Sequence, residues 1–167
     1  MSVLIAGVGY HNLRDLSLGP DLVPVLQKLQ WPPDVEVADW SFGPIAIVQQ
    51  LEAMKQPYSR IVFLGTAERG REKGRVFSYR WEGRLPGPDE IQARIGEAVM
   101  GVISLDSLLI ITEFFKVLPV EVFVVEAEPE DFEFGTGFSP ALTAIQDELI
   151  ARVFQLALHG ALQSQLA

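Results

Sequence analysis

The residue types able to do chemistry here sit close to glycines. Gly7-Val8-Gly9 follows an apolar run, as in the phosphate-binding turn of dinucleotide folds, but the third glycine of that fingerprint would fall on Asn12. A small-molecule or nucleotide binder is therefore one reading, with the glycines serving turn geometry as the plainer one. Nucleophilic catalysis has little to work with. There is no cysteine, and a Ser-His-Asp set would need His11 or His159. Ser139, ahead of Pro140, reads as a helix cap. The most concentrated feature is Glu68-Arg69-Gly70-Arg71-Glu72-Lys73-Gly74-Arg75, followed by Phe77, Tyr79 and Trp81. Arginine and aromatic side chains are common anchors of protein interfaces, so Arg69, Arg71, Arg75, Phe77, Tyr79 and Trp81 are candidate partner-binding residues. Replacing the three arginines by glutamate is then expected to weaken a partner without unfolding the chain. A second charged run, Glu121, Glu126, Glu128, Glu130, Asp131 and Glu133, reads as a solvated face.

These residues need a scaffold, and the composition supplies one. The chain has 167 residues, 49% of them hydrophobic, which suits a single domain over 1–167 with a real core. A formal net charge of −9 argues against a nucleic-acid partner. The absence of cysteine fits a reducing compartment. The N-terminus lacks a basic region and a long apolar run, and no apolar stretch nears the roughly 18 residues of a membrane span. A cytoplasmic protein without membrane attachment is expected.

Periodicity places the elements. Residues 3–6 read as a buried strand ended by Gly7. Residues 21–29 read as a helix with Leu22, Val25, Leu26 and Leu29 on one face and Pro24 in its first turn. Residues 35–38 form a strand and 44–54 a helix with Ile45, Val48, Leu51 and Met54 inward. Residues 60–65 read as a third strand whose Ile61-Val62-Phe63-Leu64 core is continuously apolar, as in a sheet covered on both faces. Residues 76–81 alternate and suit an exposed edge strand or a hairpin arm. Helices follow at 88–99 and from Ser104 to about residue 116, with Phe115 among the apolar positions of the second. A strand covers 120–125. One long helix then runs from Pro140, with Leu142, Ile145, Leu149, Val153, Leu156 and Ala157 as its stripe. The order predicts a three-layer α/β/α sandwich with a mostly parallel twisted sheet of about five strands. Loops 7–19, 65–74 and 126–137 should meet at the carboxyl ends of its strands, where such sheets bind ligands.

Two segments carry a resemblance. Leu4-Ile5-Ala6-Gly7-Val8-Gly9-Tyr10, then Asp15 and Gly19-Pro20, resembles the opening of hydrogenase maturation proteases: a strand, Gly-x-Gly-Asn, a short loop, an acidic pair, Gly-x-Gly and a helix. Phe134-Gly135-Thr136-Gly137-Phe138-Ser139-Pro140-Ala141-Leu142 is similar to the Gly-x-x-Leu-Ser-Pro segment before that family's last helix. The resemblance implies an endopeptidase that binds nickel in the immature large subunit of a nickel-iron hydrogenase and removes its C-terminal extension. It also implies a metal site of two carboxylates and one histidine at the gathered loop tips.

Carried onto this chain, those positions fall on Leu16, on or beside Gly65, and on Gly101 within Met100-Gly101-Val102-Ile103-Ser104. The family asparagine after Gly9 is Tyr10 here. Nickel needs nitrogen or oxygen donors, which leucine and glycine side chains lack. Whether the chain is an enzyme is thus open. The reading carried forward is a maturation-protease homologue without metal-dependent cleavage and with no cofactor, binding a protein partner such as a hydrogenase or related metalloenzyme precursor. Tyr10 joins the candidate contact residues, and the apolar last helix could support a homodimer. The alternative is an active endopeptidase with relocated nickel ligands, for which Asp15, His11 and Glu68 are the candidates. Each has a plainer role: Asp15 bonding loop amides, His11 exposed in a loop, Glu68 paired with Arg69 or Arg71.

Overall fold

The apolar runs that cannot face water form the middle of one sheet in the computed structural model, which describes residues 2–160. β1 (Val3–Gly7), β2 (Val35–Asp39), β3 (Arg60–Thr66), β4 (Phe77–Arg80) and β5 (Glu121–Ala127) lie in the order β2-β1-β3-β5-β4. All neighbours are parallel except β4, which runs antiparallel along β5 at the edge. The helices are α1 (Leu18–Gln27), α2 (Pro44–Ala53), α3 (Pro88–Val99), α4 (Leu105–Phe114), α5 (Pro140–Ala144) and α6 (Gln146–His159).

Strand side chains alternate between two cores, as a period of two requires. Val3, Ile5, Val62, Leu64, Phe123 and Val125 pack with Leu22 and Leu26 of α1 and Leu149, Val153 and Leu156 of α6. Leu4, Ala6, Ile61, Phe63, Val122 and Val124 pack on the other side with Ile47 and Leu51 of α2 and Leu105, Leu108 and Leu109 of α4. The result is the expected three-layer arrangement. α3 lies outside it against α4 and buries only Ile91.

Four expectations change. α1 begins at Leu18, because a 3-10 turn over Arg14–Ser17 runs straight into it. Pro20 therefore occupies the first turn and Pro24 lies inside the helix, on its solvent side. In α2, Ile47 rather than Ile45 leads the buried stripe. The last helix is two helices meeting at Ile145, although every expected stripe residue is buried. Phe115 caps the end of α4 and is 42% exposed.

Candidate functional site

α1 starts directly against the sheet, and this brings the first loop to the ends of β1 and β3. A Cβ on Gly19 would strike the backbone of Val8 and the Leu64 carbonyl oxygen, so glycine is required there by close approach. A Cβ on Gly7 would meet the Gly19 carbonyl oxygen at 2.5 Å. The glycines of the first loop thus serve backbone packing, which accounts for them without a phosphate ligand.

The three loops do gather. Loops 7–19 and 65–74 and the start of α4 border a cleft of about 360 Å³, while loop 126–137 packs beside it without lining it. Val8, Leu16, Val102 and Leu105 supply apolar wall, while Tyr10, Glu68, Arg94, Ser104 and Asp106 supply polar wall. The Tyr10 hydroxyl accepts the Ile103 amide at 2.9 Å, tying the first loop to the segment before α4. Ser104 caps α4 by accepting the Ser107 amide.

One wall of the cleft is held by an ion-pair network. Glu126 continues the face of Val122 and Val124, which looks toward α4, and its side chain is fully buried. Arg69 Nε donates to Glu126 Oε1 at 2.8 Å, and its terminal nitrogens grip Asp106 at 2.7 and 3.2 Å. Arg71 Nη2 lies 2.9 Å from Glu126 Oε1, and Arg71 Nε donates to Glu128 Oε1 at 2.7 Å. The Arg69 amide donates to both Glu128 oxygens at 3.0 Å. Arg71 also stacks over the Phe77 ring, 4.0 Å from its centroid.

The network shows in the acid–base properties of its members. The hydrogen bond with Glu126 pushes the Arg69 guanidinium further toward its charged form, against the effect of burial, and Asp106 adds to it. Burial alone would raise Glu128, but the hydrogen bonds from Arg71 and the Arg69 amide outweigh it and hold this carboxyl below its ordinary range. Burial and the nearby Glu126 charge push the Tyr79 phenol upward.

A second cluster fixes the other two loops to each other. Asp15 is fully buried. Its Oδ2 accepts the Glu130 and Asp131 amides at 2.8 and 3.0 Å, and its Oδ1 accepts the Ser139 amide at 2.8 Å. Leu13 bridges to Gly135 in parallel, and the Gly135 amide donates to the Asn12 carbonyl at 2.8 Å.

The expected site residues therefore separate. Asp15 clamps loops, and its partners are the amides of the β5–α5 loop rather than those of its own glycine loop. His11 is exposed, with Nε2 3.2 Å from Asp39 Oδ2. Glu68 lines the cleft, but Arg69 and Arg71 pair with Glu126, Glu128 and Asp106 instead. Tyr10 is in the cleft. Tyr79 and Trp81 line a shallow groove along the edge strand with Arg80 and Arg84, and Arg75 is exposed beside Glu72. The glutamate replacements at Arg69 and Arg71 would set like charges against buried carboxylates, so they would disturb the fold as well as any surface. Glu126 and Glu128 were read as solvated and are buried. The signal was present in Val122-Phe123-Val124-Val125-Glu126-Ala127-Glu128, where carboxylates continue a wholly apolar strand. Such a strand is covered on both faces, so its carboxylates need cationic partners.

Of the positions implied for nickel ligands, one lines the cleft and the other two adjoin residues that do. Leu16 lines it, Gly65 precedes Thr66 and Gly101 precedes Val102. They do not fit a metal. Leu16 presents hydrocarbon, and a Cβ at Gly65 would come within 2.7 Å of the Val8 carbonyl oxygen, leaving no room for a side-chain donor. Of the carboxylates lining the cleft, Asp106 is held bidentately by Arg69, and no histidine lines it.

No family model matches the chain, and no curated protein matches it in sequence. Solved structures do match. A hydrogenase 2 maturation peptidase from a Thaumarchaeota archaeon is 26% identical, with a TM-score of 0.66 over 95% of this chain and 99% of its own. The hydrogenase maturating endopeptidase HybD from E. coli is 20% identical, with a TM-score of 0.68 over 92% of this chain and 90% of its own. A nickel-iron hydrogenase maturation protease from Thermococcus kodakarensis is 18% identical, with a TM-score of 0.61 over 94% and 99%. The chain has the fold of hydrogenase maturation proteases, as residues 4–20 and 134–142 implied.

Proposed function

We propose that this chain, built on the hydrogenase maturation protease fold, does not cleave by a metal-dependent route and works by binding a protein partner, a hydrogenase or related metalloenzyme precursor. The observation that supports it most is the cleft itself. Loops 7–19 and 65–74 and the segment before α4 border it, yet the positions that the resemblance implies for metal ligands carry Leu16, Gly65 and Gly101. The cleft keeps a shape that can receive a chain segment and has lost the donors that would hold nickel. Relocation onto Asp15, His11 and Glu68 is the weaker reading, because three amides already occupy both Asp15 oxygens and Asp39 faces His11.

In this reading Tyr10 meets the partner in the cleft, and Arg75, Phe77, Tyr79 and Trp81 meet it along the β4 edge. Arg69 and Arg71 keep the wall between these surfaces in place. The test mixes the purified protein with an unprocessed nickel-iron hydrogenase large subunit from the source organism, with and without nickel. Complex formation is followed by size-exclusion chromatography and the large-subunit mass by mass spectrometry. A complex whose large subunit keeps its extension is expected. Nickel-dependent loss of the extension would establish the peptidase instead, and absence of a complex would remove this partner.

A further inference from the structure

No residue of the loop between β5 and α5 lines the cleft, yet the loop is held at several backbone positions. Phe134 on it is 83% exposed and Phe132 is 43% exposed. A mobile loop could turn such rings inward. Here the backbone that carries them is tied down, because Asp15 holds the amides of Glu130, Asp131 and Ser139, and Asn12, Leu13 and Arg14 hold Gly135. The Glu133 amide further donates to Asp131 Oδ1 at 3.0 Å. Beside Phe132 lies an open depression of about 760 Å³, lined also by Glu130, Asp131, Glu133, Ser139 and Pro140. It shares no lining residue with the cleft.

Charge names the occupant. Asp131 faces Arg14 at 3.6 Å, but among the described residues neither Glu130 nor Glu133 has an ion-pair partner. Two outward phenylalanines flanked by unpaired carboxylates suit a surface that offers cations around an apolar socket. Cations rest favourably on aromatic faces, and their attraction to carboxylates steers encounter. A pre-ordered loop also loses little conformational entropy on binding. A second copy of this chain is a poor match, since it carries the same acidic face and a net charge of −9. We propose that the Phe132–Phe134 loop is a docking surface for a protein partner with arginine or lysine side chains around an apolar socket, Phe134 entering the socket and a cation lying between Phe132 and Glu130 or Glu133. The surface is separate from the cleft, so it stands or falls without the cleft's reading.

The test is an amide-resolved NMR titration of the isotopically labelled protein with the peptide acetyl-Arg-Leu-Arg-Leu-Arg-amide. A control peptide carries glutamate in place of arginine. Saturable shifts are expected at residues 130–139 with the cationic peptide alone. Phe134→Ser, and Glu130→Lys combined with Glu133→Lys, should each weaken binding five-fold or more, while Lys55→Ala, at an exposed position after α2, leaves it unchanged. These side chains are exposed, and an unaltered spectrum outside the loop verifies folding. Shifts centred elsewhere, equal binding of the acidic peptide, or a smaller loss in either variant would overturn the proposal. Concentration-dependent shifts at the loop without peptide would assign the surface to a second copy and overturn it as well.

Discussion

Replacing Asp15 by asparagine separates a structural clamp from a metal ligand. The carboxylate is fully buried and accepts the Glu130, Asp131 and Ser139 amides through its two oxygens. Asparagine keeps the shape but turns one oxygen into an amino group. In either orientation that group faces at least one backbone N–H, donor against donor. The bonds that remain lose the assistance of charge, which makes up roughly half of their strength. One lost bond with a buried donor left unmet, plus weakening of the rest, amounts to about 3–5 kcal/mol. For a chain of this size that corresponds to a melting temperature lower by about 10 °C. Urea unfolding followed by circular dichroism measures it, with an unchanged dependence on urea showing that the unfolding reaction is the same. A ligand-type carboxylate directed at an open cleft would tolerate the change within about 0.5 kcal/mol, as exposed positions do. A loss below about 1 kcal/mol would refute the clamp.

Three further outcomes follow from the same geometry. Glu126→Gln should destabilise by about 2–3 kcal/mol in urea unfolding, less than for a wholly orphaned pair because Arg69 keeps Asp106 and Arg71 keeps Glu128. Gly65→Ala should cost about 2–3 kcal/mol in the same assay through its contact with the Val8 carbonyl, and a neutral result would mean the position can carry a donor after all. Glu128 has a carboxyl held below its ordinary value of 4.5, so its charged form is favoured by folding. Its contribution is present above that value and is lost as pH falls through the lower folded value. Stability measured against pH should therefore drop below about pH 4.5, and Glu128→Gln should flatten part of the drop.

The strands were legible because hydrophobic period and length decide them locally, and their mostly parallel pairing followed from the alternation of strands with helices. The early start of α1 was not. It depends on Gly19 fitting against Val8 and Leu64, a contact between segments far apart in sequence. The place of Leu16 beside the cleft followed from the family resemblance, whereas the closeness of Gly65 to Val8 needed coordinates. The ion pairs of the basic run after β3 leave no local trace, for a physical reason. Its charges looked free because the carboxylates that take them up, Glu126, Glu128 and Asp106, lie 37 to 59 residues further along the chain. The loop clamp around Asp15 spans 115 to 124 residues and left no local pattern.

The most direct test is a calorimetric titration of nickel into the purified, tag-free protein at neutral pH. No stoichiometric uptake is expected, because the side chains of Leu16, Gly65 and Gly101 offer the ion no donor. Uptake of one nickel per chain would contradict that expectation and restore metal-dependent cleavage as the leading function.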